Sequence, residues 1–176
     1  MPGGGASADL EMRVDSSRDR STAVDLAIAV MPVILASVAG QIATFPNIEG
    51  WYAALNKPWF NPPTWLFGPT WTALYILMAL AAWRLLRLPR HTFGRGSALA
   101  LFFAQLALNA LWSGLFFALH NPLAGLVNIV LQLLLIALTI KRARHVDNVA
   151  AVCLIPLAVW VAFATILNFE MWRLNG

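Results

Sequence analysis

Five apolar runs, each long enough to cross a bilayer, constrain this chain more than any other feature. A helix needs about 20 mostly apolar residues to span roughly 30 Å of hydrocarbon. Residues 24–45, 64–84, 97–120, 122–141 and 149–172 each meet that requirement. In hydrocarbon every backbone N–H and C=O must find a partner within the protein, and continuous runs of this length satisfy that as helices. Charged residues make up 11% of the chain, against about 25% in soluble domains. The reading is therefore all-α, an integral membrane five-transmembrane-helix bundle occupying 24–176 as one domain. Residues 1–23 are Gly/Ser-rich and mixed in charge, and are expected to form a disordered cytoplasmic tail. The first run is too long for a signal peptide and contains Pro32, so it is read as a span.

The basic residues orient the bundle. Arg13, Arg18 and Arg20 precede the first span, Arg84, Arg87, Arg90 and Arg95 lie around the second connection, and Lys141, Arg142 and Arg144 around the fourth. In a five-span bundle these regions share one side, leaving only Lys57 and Arg173 on the other. By the positive-inside rule the N-terminus is expected in the cytoplasm, and the first loop and C-terminus on the outer side. The same distribution explains a net charge of +4 without invoking nucleic acid.

That outer first loop is compositionally unusual. Residues 51–71, WYAALNKPWFNPPTWLFGPTW, contain four tryptophans and four prolines. Indole rings favour membrane interfaces, and proline removes backbone donors and fixes φ. Rigid aromatic area of this kind suits a lid over an apolar cavity.

Helical spacing supplies walls for such a cavity. Gln105, Asn109, Trp112 and Phe116 share one stripe of the third span. Thr64, Gly68, Trp71, Tyr75 and Met78 do so in the second, and Trp160, Ala164, Leu167 and Met171 in the fifth. Aromatic area with a few amides is the composition of a small-molecule pocket. It is also that of a packed interior glued by interhelical amides, and spacing alone leaves both readings open. Asn128 and Gln132 in the fourth span point to packing, while Glu170 is placed to pair with Lys57 or Arg173.

No catalytic or metal-ligating constellation is expected. His91, His120 and His145 lie at different helix ends without ligand spacing, and His120 is read as a solvated helix-end residue. Cys153 is the one cysteine and is read as a buried, inert thiol. Small residues recur every fourth position at Gly96, Ala100 and Ala104 and at Ala110, Gly114 and Ala118, so a homodimer through the third helix is expected.

The segments WYAALNKPWFNPPTWLFGPTWTALY, AQLALNALW and LAVWVAFATILNFEMWRLN together resemble the TspO/MBR family in its bacterial form. Its members include translocator proteins, tryptophan-rich sensory proteins and peripheral-type benzodiazepine receptors. The resemblance runs from about Val24 to the C-terminus. It implies a five-helix, usually dimeric bundle that binds porphyrins, sterols in some members, and benzodiazepine-type ligands. Carried over by motif, Tyr52 and Trp71 wall the pocket with Asn109 and Trp112, and Trp160, Ala164 and Leu167 close it. Two departures stand out: Phe169 occupies the tyrosine position of the sterol-recognition pattern, and Ala124 replaces a tryptophan of animal members.

The resemblance thus implies a membrane binding, transport or sensory-regulatory protein for porphyrins and similar flat apolar ligands. Porphyrin or haem is the expected ligand, and no obligatory cofactor is implied. The alternatives are light-dependent porphyrin degradation, for which no acid, base or metal is identified, and a structural or interaction role.

Overall fold

Helix formation here follows from the apolar runs, and the helix ends follow from a handful of prolines, caps and arginines. The computed structural model describes the backbone of residues 5–176 and the side chains from Thr22 onward. Among the described residues five spans are present: Thr22–Tyr52, Thr64–Arg87, Arg95–Ala118, Pro122–Arg144 and Asn148–Asn175. They are built from α1 (Gly5–Asn47), α2 (Thr64–Arg87), α3 (Arg95–Ser113), α4 (Pro122–Arg144), α5 (Asn148–Cys153) and α6 (Ile155–Asn175). Two π-helical turns, Ile48–Tyr52 and Gly114–Ala118, extend α1 and α3 at the same end of the bundle. The chain is a multi-pass integral membrane protein.

Most of the spans outrun the sequence-based bounds by a few residues, whereas the third ends at Ala118, short of the expected His120. Arg84 and Arg87 continue α2, because long cationic side chains keep their heads in polar surroundings while their stems stay on an apolar face. The backbone of α1 is helical back to Gly5, where a disordered segment was expected. Adding residues to an existing helix avoids the nucleation cost that an isolated segment would bear. Of the expected tail, residues 1–4 lie outside the described residues. At the other end of α1, Pro46 removes a ladder donor and the following turn widens to a π turn.

The fifth span is broken into α5 and α6. Pro156 stands in the first turn of α6, has no N–H to give to the preceding turn, and marks the break at Leu154. Two side-chain caps start the neighbouring helices: Asn121 Oδ1 accepts from the Ala124 N–H at 2.9 Å, and Asp147 Oδ1 from that of Ala150 at 2.8 Å.

The arginine-rich end is fastened by specific bonds as well as by its charge. Arg84 donates from Nε to both Asp147 oxygens at 3.0 and 3.1 Å, joining α2 to the start of α5. Arg95 donates to the Leu85 and Leu86 carbonyls at 3.1 and 3.0 Å, satisfying orphan acceptors at the C-terminus of α2. Close helix approach relies on small residues. A Cβ on Gly40 of α1 would lie 3.3 Å from Ser113 Oγ of α3. Within the bundle α3 packs chiefly on α4, α4 on α6, and α1 on both α2 and α3.

The Asp147 carboxyl has a pH consequence. Burial disfavours its charge, but the Arg84 hydrogen bonds, the Ala150 N–H and the Arg84 charge outweigh that and hold its pKa below the ordinary value. A depressed carboxylate contributes stability that is complete above its unfolded pKa, about 3.9, and lost as pH falls through the lower folded value. Thermal melts in detergent should therefore fall more steeply below about pH 4 for the wild type than for Asp147→Asn. Parallel curves for the two proteins would remove Asp147 from the account.

Candidate ligand-binding site

The π turns close one end of the bundle with aromatic rings. Tyr52 and Trp51, from the turn after α1, meet Phe116 and Phe117 from the turn after α3. Trp51–Phe116 centroids are 5.4 Å apart and nearly edge-on, and Tyr52–Phe117 centroids are 5.5 Å apart. Trp112 stacks on Phe116 at 5.0 Å. Below this cluster lies a cavity of about 310 Å³. Its volume is near the lower end of the roughly 300–1,000 Å³ typical of ligand pockets.

All seven residues singled out from the sequence line this one cavity: Tyr52, Trp71, Asn109, Trp112, Trp160, Ala164 and Leu167. The helical stripes behave as units. Thr64, Gly68, Trp71 and Tyr75 line it from α2, whereas Met78, one turn further, is buried in the core. Met171 joins the α6 wall, and Phe116 the α3 wall. Gln105, at the other end of the α3 stripe, does not reach the cavity. Ala124 does not line it either.

Sequence reasoning missed an entire wall. Ser37, Gly40, Gln41 and Thr44 of α1 face the cavity at three- and four-residue spacing. Small and polar residues at helical intervals in an otherwise apolar run were the available signal. Gln41, Phe45, Thr64 and Thr72 are exposed, while lining residues from α3, α4 and α6 are buried or half-buried. The cavity is thus open on the side of α1 and α2.

The tryptophan-rich loop crosses the aromatic end, but its four indoles have different places. Only Trp71 lines the cavity. Trp51 stacks on the His120 imidazole at 4.6 Å. Trp59 and Trp65 are 94% and 71% exposed, facing away from the interior. The loop is held at several points. Tyr52 OH donates to Asn61 Oδ1 at 3.0 Å. The Asn56 N–H donates to Asn175 Oδ1, and Asn175 Nδ2 returns a bond to the Asn56 carbonyl, both at 2.9 Å. Phe60 packs edge-on against Phe163 of α6 at 6.3 Å.

Polar groups within the spans find partners across helices. Tyr75 OH donates to Asn109 Oδ1 at 3.0 Å, linking α2 to α3. Asn168 of α6 accepts from Trp112 Nε1 at 3.0 Å and donates to the Pro122 carbonyl at 2.8 Å, joining three helices. Asn128 donates to the Leu108 carbonyl at 2.9 Å, the packing role expected of it. Gln132, read with it as glue, instead lines the cavity and leaves Nε2 without a partner.

Two expectations about charge are refined. Glu170 pairs with Arg173 at 2.7 Å on the exposed surface of α6, an arrangement worth little in stability. Lys57 donates to the Ala53 and Leu55 carbonyls at 2.9 and 3.2 Å and lies 4.9 Å from the centre of the Tyr52 ring. His120, expected as a simple solvated residue, also bonds Asn47 Oδ1 through Nε2 at 2.9 Å. Among the described residues no Asp, Glu, Lys, Arg or His lines the cavity, which is uncharged to that extent.

Five spans around an uncharged, aromatic-walled cavity beneath a pinned loop define a multi-pass membrane protein with an internal cavity. The TspO/MBR family profile matches residues 28–173. The tryptophan-rich protein TspO of Archaeoglobus fulgidus is 42% identical over 155 residues, covering 86% of this chain and 97% of its own length. The tryptophan-rich sensory protein of Cereibacter sphaeroides is 44% identical over 127 residues, 72% of this chain and 78% of that one. The Bos taurus translocator protein is 35% identical over 152 residues, 84% and 89% respectively. The chain belongs to the TspO/MBR family.

Gly125 gives a direct test of the wall geometry. A Cβ there would lie 3.0 Å from Asn168 Oδ1 and 3.2 Å from Phe116 Cδ2. Gly125→Ala should cost about 1–3 kcal/mol, read as a lower melting temperature. An unchanged melt would mean that α4 and α6 are not this close.

Proposed function

We propose that this protein binds a tetrapyrrole, or a similarly flat apolar molecule, in the cavity beneath the tryptophan-rich loop. The observation that carries the reading is an uncharged cavity whose walls present Trp71, Trp112 and Trp160 together with the Asn109 amide. Indole faces stack on planar rings, and an amide fixes orientation. Binding, transport or a sensory role follows more readily than acid–base catalysis, since the lining offers no carboxylate, imidazole or amine. Propionates of a porphyrin belong outside the cavity, because an unpaired carboxylate in such surroundings is costly. Lys57 retains an N–H beyond its two carbonyl bonds and is the one cation of the loop.

The reading includes orientation and assembly. The arginine-rich end faces the cytoplasm and the loop the outer side. Gly96, Ala100 and Ala104 are exposed on one face of α3, where close backbone approach supports a homodimer.

Added protoporphyrin should quench tryptophan fluorescence saturably. Trp71→Ala or Asn109→Ala should weaken binding roughly three- to tenfold. Absence of quenching by any tetrapyrrole at micromolar concentration would reject the proposal.

A further inference from the structure

The second and fourth connections form one face at the arginine-rich end, at the far end of the bundle from the aromatic loop. The second runs from the end of α2 at Arg87 to the start of α3 at Arg95. The fourth runs from the end of α4 at Arg144 to the start of α5 at Asn148. They touch each other. Arg84 reaches Asp147 at 3.0 Å, and a Cβ on Gly94 would lie 3.3 Å from Val146 Cγ1. Gly94 has a φ of +89°, a backbone that any side chain would strain, so glycine is what allows this approach.

The cations of this face divide by what they touch. Arg84 is committed to Asp147, and Arg95 to the Leu85 and Leu86 carbonyls. Arg87, Arg90, Lys141, Arg142 and Arg144 are exposed, and none of them belongs to an ion pair. Arg87 rests over the Trp83 ring at 5.4 Å, which leaves its charge without a counterion. Among the described residues the acids at this end are Asp25 and Asp147, and Asp147 is already engaged. Cations in the last turns of α2 and α4 are favoured by the helix dipoles, which accounts for part of the cluster. The dipoles give no reason for Phe93. Its side chain is 96% exposed, on a connection held by the Thr92 N–H to the Pro89 carbonyl at 2.9 Å and the Arg95 N–H to the Thr92 carbonyl at 3.1 Å. An aromatic ring held out among free cations suits a partner that is anionic at its head and apolar just beneath.

We propose that the second and fourth connections together form a docking surface for anionic phospholipid. The free cations take the headgroup phosphates through charge-assisted hydrogen bonds, and Phe93 enters the boundary between headgroups and acyl chains. Phosphates lie at the height where the spans end, so they meet these side chains without any movement of the bundle. The claim is more than a statement of orientation. A charge bias orients a chain wherever its cations sit in the loops, whereas this surface needs both connections and the ring between them. It does not depend on what the cavity binds.

The test is a titration of the full chain, in a neutral detergent, with dansyl-labelled phosphatidylglycerol or phosphatidylcholine. Uptake is read by energy transfer from tryptophan. The wild type should bind the anionic lipid about tenfold more tightly, with the preference falling as salt is raised to about 0.5 M. Glutamine at Arg87, Arg90, Lys141, Arg142 and Arg144 together should bring the ratio to about one. Arg87→Gln with Arg90→Gln, or the three changes on the fourth connection alone, should each leave a ratio of about three. Phe93→Ser should weaken uptake of both lipids about threefold and keep their ratio. Equal uptake of the two lipids by the wild type, a comparison that needs no variant, would overturn the inference. So would a preference that survives the combined change, or one that a single connection carries by itself. Unchanged uptake by Phe93→Ser would overturn it as well. Displacement of the labelled lipid by glycerol 3-phosphate at the same concentration would show a site for free phosphate instead of lipid.

Discussion

A polar side chain in hydrocarbon must find its partner inside the protein, and Asn168 shows how much of this structure depends on that constraint. From one turn of α6 its amide reaches Trp112 on α3 and the Pro122 carbonyl at the start of α4. Gly125 is a glycine next to that amide because a Cβ would sit 3.0 Å from Asn168 Oδ1. The bond to Trp112 fixes an indole that stacks on Phe116, and Phe116 in turn supports Trp51 and Tyr52. A single buried amide thus sets the spacing of three helices and the aromatic end of the bundle. Lipid exerts no hydrophobic force between helices, so hydrogen bonds and close packing must hold the walls apart and together.

That arrangement accounts for a cavity remaining in a membrane bundle. Aromatic rings are rigid, with few torsions to collapse into empty space, and the π turns displace Tyr52 and Phe116 from regular helical positions. The loop adds a clasp at the Asn56–Asn175 pair. Among the described residues the two ion pairs lie at the two ends: Arg84 with Asp147 at one, Arg173 with Glu170 at the other. The interior between them is left apolar and neutral, which selects against ionised groups.

Much of this was legible in the sequence. Apolar runs gave five spans, and helical spacing brought Trp71, Asn109, Trp112, Trp160, Ala164 and Leu167 to one cavity, because a span cannot choose another period without losing its backbone bonds, while Tyr52 came from the family motif. What remained hidden depended on tertiary detail. The π turns at Ile48–Tyr52 and Gly114–Ala118 have no strong local signature. The α1 wall was overlooked because Ser37, Gly40, Gln41 and Thr44 resemble ordinary variation in an apolar run until α1 is placed beside α2 and α3. Composition drew attention to four loop tryptophans, yet Trp59 and Trp65 face outward, where an indole is comfortable at a membrane interface. Gln132 shows the limit most clearly. Its spacing from Asn128 suggested packing, yet it lines the cavity.

The central claim is one of place: a flat ligand lies inside the bundle, beneath the loop. The most direct measurement is an experimental structure of the protein with bound protoporphyrin. The account predicts a macrocycle between α2, α3 and α6, against Trp71 and Trp112, with its carboxylates at the opening toward α1 or under the loop. A macrocycle seated on the lipid-facing surface, with the cavity empty, would contradict it.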